Sequence, residues 1–356
     1  MTTNNHIFIR NIYYMLSYAF KELKLNNYES IAKEEFERVL DLFAEILFKG
    51  VSMQLKQGLY KEYVEKHESL STLKGHIDIN ETIRNRIQRK NLLACDYDEL
   101  SENNLLNQIL KSTILKLLRS AEVDKKRKSQ LLKLLPFFAD IADINLKNVR
   151  WSTLTFQRNN QAYKMLMNLC YFISTEILMT TEKGDYKMAT FSDENMSNLY
   201  EHFVLEFYRA EYKSLKVNAD KVDWYLTGNK NVKDFLPAMQ TDITIKQGSK
   251  ILIIDTKYYS KMTQKYFTKA KIHSSNMYQI FTYVKNRDFE NTGNVSGLLL
   301  YAKTDEEDVP KLDVFIDKNR FMVRTLDLNQ DFNAKNGIRD QLRCLLEDFG
   351  FKLEKT

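Results

Sequence analysis

Met239-Gln-Thr-Asp242-Ile-Thr-Ile-Lys-Gln-Gly248-Ser-Lys250-Ile-Leu-Ile-Ile-Asp255-Thr-Lys257-Tyr-Tyr259 is the stretch on which the reading of this chain turns. Ile251 to Ile254 is a short apolar, largely β-branched run that leads straight into Asp255 and Lys257. Such a run predicts a buried strand, and a carboxylate buried at its end is costly unless something offsets the charge. The first half predicts a second strand. Gly248-Ser249 between them suits a two-residue type II′ turn, with glycine supplying the positive φ. That turn sets the register: if Gln247 faces Lys250, then Asp242 faces Asp255.

Opposed residues on neighbouring strands hold their Cβ atoms about 4.5–5.5 Å apart, and alternation puts Lys257 on the same face as Asp255. Two carboxylates so close repel, and a divalent cation between them relieves the repulsion. Lys257 then stands beside the metal, placed to orient a water or offset the charge of a phosphate. The competing reading is a surface hairpin with an ordinary Asp–Lys pair, against which the apolar run argues.

Asp…Asp-x-Lys resembles the PD-(D/E)xK nuclease signature, with Asp242, Asp255 and Lys257 in the matching places. The departure is that no proline directly precedes Asp242; Pro237 lies five residues upstream. The resemblance implies Mg²⁺-dependent phosphodiester cleavage, with Asp242 and Asp255 as metal ligands and Lys257 as a catalytic residue.

The 356 residues suffice for two domains with sizeable cores, and 44% hydrophobic with 28% charged residues is ordinary for a soluble globular protein. No apolar stretch approaches the roughly 20 residues of a membrane span. The N-terminus lacks a signal-peptide pattern, so a cytoplasmic protein is expected, with no membrane partner. Cys95, Cys170 and Cys344 are scattered, and the five histidines are equally dispersed, which argues against a disulfide framework or a zinc site. A net charge of +6 is compatible with a nucleic-acid surface. Neither G-x-x-x-x-G-K-[ST] nor G-x-G-x-x-G occurs, so any nucleotide hydrolysis is expected from a partner.

The first half reads as mostly helical. Asn11 is the expected N-cap of a helix carrying Ile12, Met15, Leu16 and Ala19; a second helix is expected from about Glu34 to Leu55. Short strands are expected at Leu59–His67, Ser71–Ile79 and Asn91–Tyr97. The acidic patch of Asp96, Asp98 and Glu99 lacks a lysine and a strand of set register, and reads as structural. Between these strands, Arg84, Arg86, Arg89 and Lys90 form a basic run that suits either a solvated face or a contact with a partner or nucleic acid. Further helices are expected over Ser101–Ser120, from Lys125 to a stop at Pro136, and over Phe156–Leu178.

Thr181 to Asn195 is polar and aperiodic, the expected boundary between domains 1–181 and 182–356. Beyond it a helix from about Glu194 to Tyr212 carries Tyr200, Phe203, Val204 and Phe207 as its core stripe. Glu201, at the edge of that stripe, is either a further acidic residue of the site or an exposed helix glutamate. After the hairpin, Lys261, Lys265, Lys269 and Lys271 would offer ammonium groups to DNA phosphates if helical or looped over the site. Gln279 and Tyr283, four apart, share a helix face; they resemble the Q-x-x-x-Y element of RecB-type nucleases, which packs beside the metal centre. A strand at Gly297–Ala302, a hairpin over Lys311–Leu326 with its turn near Lys318-Asn319, and a helix from about Ala334 to Asp348 close the chain. The order predicts an α/β (α+β) fold: a mostly helical N-terminal domain with short strands, then a restriction-endonuclease-like core.

Four segments together resemble the McrC family: Arg10-Asn11-Ile12-Tyr13-Tyr14-Met15-Leu16, Gly75-His76-Ile77-Asp78, the hairpin with Ile254-Asp255-Thr256-Lys257-Tyr258-Tyr259, and Asn276-Met277-Tyr278-Gln279. The resemblance implies the nuclease subunit of a system that restricts double-stranded DNA with modified cytosine. It implies an N-terminal half that docks on a ring of the McrB AAA+ GTPase, a hexamer that uses the GTP. Arg84, Arg86, Arg89 and Lys90 are the candidate ring contacts. A stand-alone RecB-like exonuclease and a non-catalytic activator of a AAA+ ring are the alternatives. Relatives of the former that hold an iron–sulfur cluster need four cysteines, and this chain has three.

Overall fold

The structure is a computed structural model; it describes residues 3–20, 23, 28–157, 160–182, 193–227, 235–258, 264–266, 269–271, 273–303 and 311–354. The chain separates into two compact units, one of residues 1–39 with 187–356, the other of residues 40–186. This differs from the expected division into 1–181 and 182–356, because the opening helix belongs with the second half.

That helix, α1 (Thr3–Ala19), starts well before Asn11, which is therefore no N-cap. Asn11 is buried in mid-helix, and its Nδ2 donates to the carbonyls of Leu328 (2.7 Å) and Gln330 (2.8 Å). Tyr14 stacks on Phe332 with ring centroids 4.5 Å apart, and Tyr18 packs against Phe203, Phe207 and Phe332. Aromatic pairs of this kind add to the burial they bring. They hold α1 on the later part of the chain, more than three hundred residues away in sequence at Asn11 to Leu328.

The unit of residues 40–186 is built from α2 (Val39–Gln57), β1 (Glu62–Leu70), β2 (His76–Ile77), α3 (Ile79–Ile87), β3 (Leu93–Ser101), α4 (Leu105–Arg119), α5 (Lys125–Leu132) and α6 (Gln161–Glu182). The strands form an antiparallel sheet in the order β1-β3-β2. The strand expected over Ser71–Ile79 shortens to two residues, since Asp78 instead caps α3 by accepting from the Glu81 amide at 3.1 Å. α4 begins at Leu105, later than the expected start at Ser101, because Asn104 caps it by accepting from the Asn107 amide. α4 packs on α5 and α6, and a buried Arg127–Glu45 ion pair ties α5 to α2.

The other unit continues through α7 (Asp193–Glu211), β4 (Lys216–Asn218), β5 (Lys221–Val222), β6 (Met239–Gln240), β7 (Ile243–Gln247), β8 (Lys250–Lys257), β9 (Gln264–Tyr266), β10 (Lys269–Lys271), α8 (Ser274–Arg287), β11 (Val295–Ala302), β12 (Leu312–Ile316), β13 (Asn319–Leu326) and α9 (Ile338–Asp348). Six of these strands make one mixed sheet in the order β12-β13-β11-β8-β7-β4. β7 and β8 are antiparallel with Gln247 opposite Lys250 and Ile243 opposite Ile254, and Gly248 has φ +61° at the turn. β11 runs parallel to both β8 and β13. Leu252 to Thr256 are all buried, so both faces of β8 are covered, as its apolar run requires.

α8 lies on the face that carries Ile253, Leu299, Tyr301 and Phe321. Gly297 permits this approach: a Cβ there would stand 2.9 Å from Ile280 Cγ1 and 3.0 Å from Val284 Cγ2 of α8. Among the described residues no helix is long and apolar enough to cross a membrane.

Candidate active site

Alternation along β8 puts Ile251, Ile253, Asp255 and Lys257 on the face that meets α8. Asp255 is fully buried, and its Oδ2 lies 2.7 Å from the Lys257 ammonium. Its Oδ1 has no hydrogen-bond partner among the described residues. Burial, reinforced by the negative charge of Asp242, pushes the Asp255 carboxyl up to about 7, while Lys257 pulls the other way.

Asp242 sits one residue before the first rung of the β7–β8 ladder, where the backbone bends. Continuing the register places it opposite Asp255, but its carboxylate turns to the next residue. Asp242 Oδ2 accepts from the Thr256 amide (2.7 Å) and from Thr256 Oγ1 (2.9 Å). Both hydrogen bonds that Asp242 accepts among the described residues fall on Oδ2. Thr256 is thus a site residue that sequence reasoning passed over, since alternation assigns the middle residue of Asp-x-Lys to the opposite face.

Glu201 projects from α7, which packs against β8. It is partly buried, and burial followed by the charge of Asp242 pushes its carboxyl up to about 7, with Lys257 opposing. Asp255 feels Glu201 as well. Of the two readings of Glu201, this geometry matches a group within electrostatic reach of the hairpin carboxylates. Lys257 also donates to Gln279 Oε1 at 3.3 Å, and Gln279 Nε2 donates to the Tyr283 hydroxyl at 3.0 Å. The helix spacing of four therefore becomes a relay of contacts, Tyr283 to Gln279 to Lys257 to Asp255. α8 itself is anchored by a buried hydrogen bond from Asn276 Nδ2 to the Tyr301 hydroxyl, 2.9 Å long, and Tyr301 is paired with Lys257 in the sheet.

The structure thus brings Asp242, Asp255, Lys257, Glu201, Gln279 and Tyr283 together. The other expected residues stand as follows. Lys261 lies outside the described residues. Lys265, Lys269 and Lys271 fall on β9 and β10, which pair antiparallel with Lys269 opposite Tyr266, so the helical spacing of four does not apply. Arg84 and Arg86 lie on α3 and Arg89 follows it with φ +57°, all in the unit of residues 40–186.

Three carboxylates with one lysine between them, and a buried oxygen without a hydrogen-bond partner, form a donor set of hard oxygens that fits Mg²⁺. A second cluster has a different character. His67, Asp78 and Glu81 hold ligand atoms within 4.8 Å of one another. His67, however, is ion-paired through one ring nitrogen to Asp96 and through the other to Glu81. Those hydrogen bonds push its pKa up to about 9, so both ring nitrogens carry protons at neutral pH and neither offers a lone pair. The acidic patch on β3 finds its partners here: Glu99 pairs with Lys66 and Lys74.

A mixed sheet that buries an aspartate at a strand end, with a lysine two residues on and further carboxylates beside it, defines an α/β protein with a buried acidic centre. The comparisons narrow the class. Residues 2–302 match the family model for the McrBC 5-methylcytosine restriction system component, and the chain belongs to that family. It is similar to the type IV methyl-directed restriction enzyme EcoKMcrBC of Escherichia coli K12, with 32% identity over 303 residues that cover 83% of this chain and 86% of the relative. In fold it is similar to a chain of the tetradecameric assembly of Thermococcus gammatolerans McrB AAA+ hexamers with bound McrC. That likeness has a TM-score of 0.55 at 19% identity and covers 96% of this chain and 76% of the other.

Proposed function

We propose that this chain is the DNA-cleaving subunit of a modified-cytosine-dependent restriction system, working through Mg²⁺ held by Asp242 and Asp255. The observation that carries the reading is the buried Asp255 carboxylate, one oxygen without a hydrogen-bond partner and the other on Lys257, flanked by Asp242 and Glu201. When bound, Mg²⁺ would supply Lewis-acid polarisation of the scissile phosphate. Thr256 fixes the Asp242 carboxylate so that Oδ1 is left for a ligand. Lys257, oriented by Asp255 and Gln279, sets a positive charge where negative charge grows on the phosphate, and Tyr283 keeps Gln279 in place. Glu201, with a pKa near neutrality, can take or release a proton at the rim of the site.

The partner in this reading is a McrB-like AAA+ GTPase hexamer, the counterpart of the ring named with bound McrC in the archaeal assembly. GTP belongs to that ring, because this sequence carries no phosphate-binding loop. The unit of residues 40–186 is the candidate docking module, with Arg84, Arg86, Arg89 and Lys90 as its contacts.

The test is cleavage of methylated plasmid by the reconstituted pair with GTP and Mg²⁺. Asp255→Asn should abolish cutting and leave the stimulation of the partner's GTPase intact. Normal cutting by Asp255→Asn removes the assignment. Loss of GTPase stimulation in Arg84→Ala/Arg86→Ala, with cleavage chemistry preserved, is the outcome expected for the docking run.

A further inference from the structure

Residues 105–153 hold ten Lys and Arg against four Asp and Glu, a surplus that equals the +6 of the entire chain. Part of that charge borders a cleft. Two adjoining hollows, of about 530 and 390 Å³, run between α4 and the segment 144–153 and share Ile144 and Asn145 in their walls. Arg150 lines one, Lys116 and Arg119 the other. Asp143 is the single acid among the lining residues, and its Oδ1 accepts from Ser112 Oγ at 2.7 Å.

The cations are short of anions. Arg119 and Arg150 make no ion pair among the described residues. Lys116 is half-buried and donates to the Ser174 carbonyl at 3.2 Å, a neutral partner. Burial, and after it the positive charge of Lys147, lower its pKa. Neutral amides stand among them: Gln108, Asn145 and Asn148 line the first hollow. Arg and Lys interspersed with Asn and Gln is the donor set that proteins turn toward phosphate and sugar oxygens.

We infer that this cleft seats the phosphate backbone of duplex DNA, a hold in the unit of residues 40–186 separate from the Asp255 centre. The inference rests on the reading that the chain acts on DNA, but not on the metal site or on cleavage. An acidic protein surface could meet the same charges. The phosphate backbone is favoured because two exposed arginines and a half-buried lysine line the hollows with a single acid, and Asn145 and Asn148 stand among them as the neutral polar groups typical of backbone contacts.

The experiment uses the full chain in EDTA without partner, titrating a fluorescein-labelled duplex free of modified cytosine over a range of salt. Arg119→Ala/Arg150→Ala, both exposed positions, should make the slope of log K against log salt shallower by about two, at about 0.9 per phosphate contact removed. Arg119→Lys/Arg150→Lys should keep most of the slope, because the point charges remain. An unchanged affinity and slope in the Ala pair overturns the inference, and so does an equal loss in the Lys and Ala pairs. A second measurement, gel filtration of the same Ala pair with the partner ring, separates the sources: loss of partner binding with the DNA slope intact overturns the inference in favour of an acidic protein surface. Because nothing is cut in EDTA, a slope change alongside a cleavage-competent Asp255→Asn would sink the nuclease assignment and leave this one standing.

Discussion

Replacing Asp255 by Asn should stabilise the folded protein above neutral pH while removing cleavage. Asp255 is fully buried, and its pKa stands at about 7 against an ordinary 3.8. The ionised form is therefore the strained one. At about 1.4 kcal/mol per pH unit the difference sets a ceiling of about 4 kcal/mol. Two effects reduce it. Glu201 titrates in the same range, so the two carboxyls share the relief of one proton. The Asn side chain also inherits a position without a partner, which costs about 1–2 kcal/mol. A net gain of about 2 kcal/mol is expected, a few degrees in Tm. The sign follows from proton uptake. Between about pH 4 and 7 the folded chain holds the Asp255 proton and the unfolded chain does not, so native stability falls as pH rises through that window. Urea unfolding in EDTA, with both proteins at about pH 8 and again at about pH 4, measures the gap. The variant should be the more stable at the higher pH, and at the lower, where the charge term is gone, the less stable by the cost of its unpartnered amide, about 1–2 kcal/mol. A variant less stable at the higher pH, or a gap that ignores pH, would refute the reasoning.

Other outcomes follow from the same geometry. Lys257→Ala should lower turnover by roughly a hundredfold, on the scale of losing one fixed group that stabilises transition-state charge; a change confined to KM would make it a DNA-binding residue only. Below about pH 7 a proton competes with Mg²⁺ for Asp255, so the Mg²⁺ concentration for half-maximal cleavage should rise as pH falls; a requirement that stays flat from about pH 8 to 6 would contradict the ligand assignment. Gly297→Val forces side-chain carbons into α8 at under 3.4 Å and should cost about 1–3 kcal/mol, with a lower cleavage rate as Gln279 shifts; unchanged melting and cleavage would show that the helix can move away freely. A fragment starting at residue 182 lacks α1 and bares Phe203, Phe207 and Phe332. It should aggregate, and co-expression of residues 1–39 should restore solubility, as read by gel filtration.

The hairpin was legible in the sequence because everything that makes it is local. Period-two alternation, a glycine at the one position of positive φ and an apolar run without polar interruption all lie within two dozen residues, and the register follows from the turn. The Gln279–Tyr283 pair was legible for the same reason, since helix spacing alone puts both on one face. The fates of Asn11, Glu201 and Asp242 were not. Asn11 looked like a cap because asparagine competes with helix backbone when its side chain has no other partner; here carbonyls more than three hundred residues away supply one, and the helix runs through it. That contact also places α1 with the later unit, which no polar boundary near Thr181 could reveal. The hold of Thr256 on Asp242 depends on a bend at the end of the ladder, where the pairing rule no longer applies. Local chemistry is written in spacing, so Asp255 and Lys257 could be read from the chain; what surrounds them is set by contacts between distant segments, and those exist only once the sheet and helices have packed.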